Sequence, residues 1–293
     1  MKVVGGPSSV ELARKVSESL NLALVQTRTK SFPDGEFYFK LDENIFGEDL
    51  LVVQSLYPPQ DTHTMELFMI LHTARELGAK TIKLFVPYLA YSRQNERYLE
   101  GECLSSAMIA ETIEHLGVDA IYTVDIHNEK VLNMYSIPTH NLSASGELTK
   151  YFASNGLKDP VVVSPDDEEL AVKRVKAAAE IINADFDSLK KSRDRYTGEI
   201  ITYGRLMDVR GRDTIIIDDI ISTGKTAANA ARILKKQGAR KVHVGVSHAL
   251  LLGDSLNLLK EAGVDELVGT DSVANEYAKV SVAPLLVKAL EEG

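Results

Sequence analysis

Six runs rich in valine and isoleucine punctuate the chain: LLVVQS (50–55), TIKLFVP (81–87), AIYTVDI (120–126), VVVSP (161–165), TIIIDD (214–219) and KVHVGVSH (241–248). Between them apolar residues recur at helical spacing, as at Leu67/Ile70/Leu71/Ala74, Ala171/Val175/Ala178/Ile182 and Ala227/Ala230/Ala231/Leu234. Strands without a polar face, interleaved with amphipathic helices, predict an α/β fold of mostly parallel sheets flanked by helices. The 293 residues suffice for two such domains. ELGAKTIKLFVPYL (76–89) and KQGARKVHVGVSHAL (236–250) share a helix end, a glycine, a basic residue and a strand, which points to two similar domains. The turn-rich PTHNLSASG (138–146) predicts the boundary, with domains over 1–143 and 144–293. A last helix near 283–292 could pack back on the first domain. Ligands of parallel sheets gather at the strands' carboxyl ends, so the site is expected in the crevice between the domains.

Thr214 to Thr226 reads TIIIDDIISTGKT, which ends like a Walker A loop. That loop needs a glycine five positions before Gly224, and Asp219 stands there. Two carboxylates, Asp218 and Asp219, would also repel a triphosphate. The pattern instead describes a strand, a turn over Ser222–Thr226 and a helix whose free N–H groups and dipole favour one anion. Ser222, Thr223 and Thr226 add hydroxyls, Gly224 lets the backbone close in, and Lys225 adds charge. Asp218 and Asp219 can accept from vicinal hydroxyls or hold Mg²⁺ through water. A phosphate at one end and a diol at the other fit a ribose 5-phosphate. A plain capped helix beside two solvated aspartates is the alternative.

Composition narrows the partners. Against 33 basic residues stand 42 acidic ones, a net charge of −9, which argues against bulk affinity for nucleic acid or anionic membrane. Anionic substrates therefore need local clusters of positive charge. The one cysteine, Cys103, fits a reducing compartment and is expected to be a small buried residue. No signal-like segment opens the chain and no stretch reaches membrane-spanning length, so a cytoplasmic protein is expected.

Other strand ends carry polar residues. VDIH (124–127) places Asp125 and His127 at one, and VSPDDEE (163–169) places Asp166 at another. His127 and Asp166 could flank a cation carried in by a nucleotide, although a lone histidine is more often structural and acidic residues also favour a helix start. FPDGEFYF (32–39) is a turn followed by a strand. PYLAYSRQNERYLEGE (87–102) is a long connection holding Arg93, Gln94 and Arg97, and a helix is expected from about Cys103. LKKSRDRYTGE (189–199) is the densest cationic run, with Lys190, Lys191, Arg193 and Arg195. It is either a solvated hairpin or a clamp for a transferring phosphate.

In this order, FPDGE, PYLAYSRQ, VDIH, VSPD, KSR and DDIISTGKT resemble the ribose-phosphate pyrophosphokinases, or phosphoribosyl pyrophosphate synthetases. The similarity runs from VVGGPSS (3–9) to KVSVAPLLVKAL (279–290). It implies two phosphoribosyltransferase-like domains and transfer of the β,γ-diphosphoryl group of ATP to the 1-hydroxyl of ribose 5-phosphate. It further implies that Phe32, Asp34, Gly35 and Glu36, from a neighbouring subunit, bind ATP together with Arg93 and Gln94. His127 and Asp166 would be the Mg²⁺ positions, and Lys191 and Arg193 the catalytic pair at the reacting phosphates. Asp218, Asp219 and Ser222 through Thr226, with Arg193, would bind ribose 5-phosphate. A homodimer or larger homo-oligomer follows from the shared ATP pocket.

Three departures stand out. Asp167-Glu168-Glu169 replaces the small residues and paired glycines usual after VSPD. Ser222 and Lys225 stand where many members carry aspartate and glycine, and the 92–102 loop is unusually acidic. Two rival readings are a phosphoribosyltransferase, which would not need the motifs of the first half, and a non-catalytic homologue that regulates a true synthetase.

Overall fold

The computed structural model describes residues 1–193, 200–203 and 208–292, with the side chains of 190–193 and 200–203 outside that description. It comprises two compact units. One is Met1–Leu142 with Ser272–Ala274 and Ser281–Gly293, and the other is Ser143–Asp271 with Asn275–Val280.

In chain order the first unit forms β1 (Lys2–Gly5), α1 (Val10–Leu20), β2 (Thr27–Ser31), β3 (Phe37–Leu41), β4 (Asp49–Val53), α2 (Gln60–Glu76), β5 (Thr81–Phe85), α3 (Ser105–His115), β6 (Ala120–Val124) and β7 (Thr139–Leu142). Its sheet runs β1-β4-β5-β6-β7, all parallel. Leu50, Leu51, Val52 and Val53 are buried in succession, so both faces of β4 are covered. The periodic residues of α2, Leu67, Ile70, Leu71 and Ala74, fill the core against them. β2 and β3 form a separate antiparallel hairpin.

The second unit contains α4 (Ser145–Ser154), β8 (Val161–Ser164), α5 (Glu169–Ile181), β9 (Asp185–Ser188), β10 (Lys190–Arg193), β11 (Ile200–Tyr203), β12 (Asp213–Ile221), α6 (Lys225–Lys236), β13 (Lys241–Ala249), α7 (Ser255–Glu261), β14 (Glu266–Thr270) and β15 (Ala278–Val280). The parallel sheet order is β15-β14-β13-β12-β8-β9, and β10 and β11 make an antiparallel hairpin. Ala227, Ala230, Ala231 and Leu234 of α6 pack into its core.

The two units repeat one plan. β1, β4, β5, β6 and β7 correspond in order to β8, β12, β13, β14 and β15, and each hairpin immediately precedes its unit's β4 or β12. Even β9 beside β8 has a remnant in the first unit, a parallel bridge from Val3 to Leu24. The helix after each last strand is exchanged. α4 follows β7 but packs on α5 and β13, and α8 (Ala283–Glu292) follows β15 but packs on α1 of the first unit.

Three local expectations need correction. Cys103 is exposed, because it lies before the first buried turn of α3, which starts at Ser105 rather than at Cys103. β12 continues through Asp218 and Asp219 to Ile221, since Ile220 and Ile221 still pair with His248 and Ala249 of β13. The cationic run does not simply connect strands, for Lys190–Arg193 is itself a strand paired with Ile200–Tyr203.

Candidate active site

The junction from β12 to α6 forms the centre of the site. Gly224 has φ +76°, a left-handed conformation that glycine enters without steric cost, and it turns the chain into α6. A Cβ there would lie 3.3 Å from both Cβ and the carbonyl oxygen of Ser255, so the loop is close-packed from behind. The amide of Ala228 donates to the carbonyl of Gly224 at 2.9 Å, and no side chain caps the helix start. Leu252 N–H donates to the carbonyl of Ser222 at 2.8 Å, which fixes the entry to the turn. With no acidic residue in its first turn and Lys235 and Lys236 in its last, α6 presents an unopposed positive end to Ser222, Thr223, Lys225 and Thr226.

The carboxylates stand at the neighbouring strand end. Asp219 N–H donates to Oδ1 of Asp218 at 2.9 Å, which holds the two carboxyl groups close together. The pKa of Asp218 is raised well above the usual carboxylate range, first by burial and then by the charge of Asp219, while Arg174 pulls it down. Asp166 is near enough to add to the upward shift. It follows β8, half-buried, and its Oδ1 accepts from Glu168 N–H at 3.2 Å. Asp167, Glu168 and Glu169 are exposed, and Glu169 pairs with Lys173 at 2.7 Å.

Arg174 escaped the sequence reading. Its signal was a cation at i+3 from Ala171, on the same α5 face as Val175 and Ala178. Its side chain is 12% exposed, and its Nη1 lies 3.8 Å from Oδ1 of Asp219.

In the first unit His127 is exposed just beyond β6. It is presented by Asp125, a buried residue at φ +36° whose N–H donates to the carbonyl of Leu142 at 2.8 Å. A non-glycine residue held there costs about 1–3 kcal/mol, which the surrounding packing must offset. Arg93 is exposed. Gln94 is engaged within its own loop, its Nε2 donating to the Glu96 carbonyl at 3.1 Å and to Glu102 Oε2 at 3.2 Å. The same oxygen accepts from Tyr98 and Leu99 N–H groups at 2.8 and 3.1 Å, and those bonds hold the Glu102 pKa down. Glu102 therefore organises the connection, and Glu96 pairs with Lys130 at 2.9 Å. Of the loop's acidic residues, Glu102 serves the loop's own folding.

Phe32, Asp34, Gly35 and Glu36 form the exposed tip of the β2–β3 hairpin. Phe32 N–H donates to the Glu36 carbonyl at 2.8 Å, Glu36 N–H donates to Asp34 Oδ1 at 3.2 Å, and Gly35 turns at φ +94°. Phe39 packs inward, while Phe32 and Tyr38 meet edge to face at 6.2 Å, with Lys30 4.5 and 5.0 Å from their ring centres. Lys191 and Arg193 lie opposite Thr202 and Ile200 in the β10–β11 register. Their side chains, like Arg195 as a whole, lie outside the described residues.

Among the described residues no group of three or more His, Cys, Asp or Glu side chains could hold a metal ion, and no helix is long and apolar enough to cross a membrane.

Comparison with known proteins agrees with the sequence motifs. A family model described as the N-terminal domain of ribose phosphate pyrophosphokinase matches residues 1–117, and a phosphoribosyl synthetase-associated domain matches residues 201–289. A ribose-phosphate pyrophosphokinase of Sulfurisphaera tokodaii is 38% identical over 284 residues, covering 96% of each chain. One from Methanobrevibacter smithii is 35% identical over 300 residues, covering 99% of this chain and 100% of the relative. The crystal structure of a phosphoribosylpyrophosphate synthetase from Mycobacterium smegmatis superposes with a TM-score of 0.85 at 28% identity, covering 100% of this chain and 99% of that one. The chain belongs to the ribose-phosphate pyrophosphokinase family.

Proposed function

We propose that the chain acts as a ribose-phosphate pyrophosphokinase on ATP and ribose 5-phosphate, forming 5-phosphoribosyl 1-diphosphate and AMP for nucleotide biosynthesis. The oxygen of the sugar 1-hydroxyl attacks the β-phosphorus, the bond from that phosphorus to the α,β-bridging oxygen breaks, and AMP leaves as the hydroxyl loses its proton. The observation that carries the reading is the β12–α6 junction, where an uncapped helix N-terminus starts one short turn beyond the strand end that carries Asp218-Asp219. Ser222 through Thr226 hold the 5-phosphate, and Asp219, with Asp218 beside it, accepts from the ribose hydroxyls. Phe32, Asp34, Gly35, Glu36, Arg93 and Gln94 bind ATP, which requires Gln94 to release its amide from Glu102.

Phosphoryl chemistry depends on positioning and charge neutralisation rather than on a covalent nucleophile. Lys191 and Arg193 supply that neutralisation. The hard carboxylate oxygen of Asp166 suits Mg²⁺, with His127 as a second position, and an ion that keeps water and substrate phosphates as its other ligands needs no larger protein cluster. Mg²⁺, when bound, offsets phosphate charge. Asp219→Ala and Thr226→Ala should raise the KM for ribose 5-phosphate much more than that for ATP. Equal weakening of both substrates, or of ATP alone, would return the junction to a nucleotide site.

The exposed Phe32, Tyr38 and Lys30 give the hairpin tip a surface of the kind enriched at interfaces. We read the active form as a cytoplasmic homo-oligomer, minimally a two-fold dimer, in which this tip completes a neighbour's ATP pocket. Mixing an inactive Phe32→Ala, Glu36→Ala chain with an inactive Lys191→Ala chain should restore part of the activity. A fully active monomer on sedimentation, or no rescue after demonstrated subunit exchange, contradicts the shared pocket.

A further inference from the structure

Of the three basic residues of α5, Lys173 and Lys176 are exposed, and Lys173 is drawn outward by Glu169 at 2.7 Å. Arg174 lies instead on the buried stripe of that helix, enclosed as tightly as Asp219, with 12% of each side chain exposed. The 3.8 Å between Nη1 and Oδ1 is too long for a hydrogen bond, but at such low exposure it leaves a strong charge interaction. Asp219 is tied through its own N–H to Asp218, and Asp166 acts on the same group. Three carboxylates thus crowd the ends of β8 and β12, beside the turn where an anionic sugar has to bind. Without a compensating cation the crowding of these carboxyl groups would oppose that binding, and Asp219 would turn away from its acidic neighbours.

We propose that Arg174 is a positioning residue for ribose 5-phosphate, offsetting the carboxylate cluster and aiming Asp219 at the sugar hydroxyls. The proposal rests on the reading of Asp219 as the acceptor for those hydroxyls. It differs from a purely structural role in two consequences. The effect must fall on one substrate, and it must pass through Asp219.

The test is a double-mutant cycle in the full chain at saturating Mg²⁺ and ATP, with melting temperature measured alongside. Arg174→Gln should raise the KM for ribose 5-phosphate about tenfold or more, while the KM for ATP stays within about twofold. Arg174→Lys, which keeps the charge, should restore most of the lost affinity, and Arg174→Met serves as the cycle's first arm if Arg174→Gln fails to fold. In an Asp219→Asn background the same Arg174 substitutions should add less than about twofold. Full additivity with Asp219→Asn, or an equal loss for both substrates with a lowered melting temperature, would overturn the proposal. A wild-type chain that does not use ribose 5-phosphate would overturn the underlying reading, an outcome distinct from a failed cycle.

Discussion

Replacing Lys191 or Arg193 by alanine should slow turnover by roughly 10²–10³-fold, the usual cost of losing one preorganised charge at a developing transition-state charge. Neither KM should change by a comparable factor, because such charges act mainly once the diphosphoryl group is in flight. The chain carries a net charge of −9, so a dense cationic segment is not explained by its overall composition. The backbone of that segment is also ordered into strand register, with Lys191 opposite Thr202 and Arg193 opposite Ile200. Steady-state kinetics of each variant decide the matter. Near-normal turnover in either one would reduce the run to a solvated hairpin.

Gly224→Val should be nearly as damaging through a different cause. A β-branched residue at φ +76° is strained, and its Cβ would press at 3.3 Å on the Cβ and carbonyl oxygen of Ser255. The turn must shift to relieve this, and displacement of a binding loop by about 1 Å costs on the order of 10²-fold in rate. The loss should appear in kcat/KM for ribose 5-phosphate, accompanied by a fall of several degrees in melting temperature. An unchanged KM for ribose 5-phosphate would show that the phosphate does not use this turn.

Much of this site could be read from the sequence because its chemistry is local. The β12 run, the glycine turn and the α6 stripe lie within a continuous stretch from Asp213 to Lys236, so periodicity and turn chemistry both reported on it. The β2–β3 hairpin was legible for the same reason, with Asp34-Gly35 at its tip. The resemblance to ribose-phosphate pyrophosphokinases drew on six such stretches, and the family comparisons bear it out.

What the sequence hid was non-local. The edge strands β9 and β15, and β14 beside the latter, have three to five residues each and show weak periodicity, becoming strands through pairing with their neighbours. Arg174 leaves no mark in the periodicity of α5, which only the apolar members of its stripe carry. Gln94 looked available, but Glu102, eight residues on, draws its amide into the loop.

The most direct measurement is the identity of the products. Purified chain incubated with Mg²⁺, ribose 5-phosphate and ATP labelled at the β-phosphorus should release unlabelled AMP and carry the label into 5-phosphoribosyl 1-diphosphate in equal amount. Labelled ADP as the main coupled product would mean transfer of the γ-phosphoryl group alone, and would contradict diphosphoryl transfer at this site.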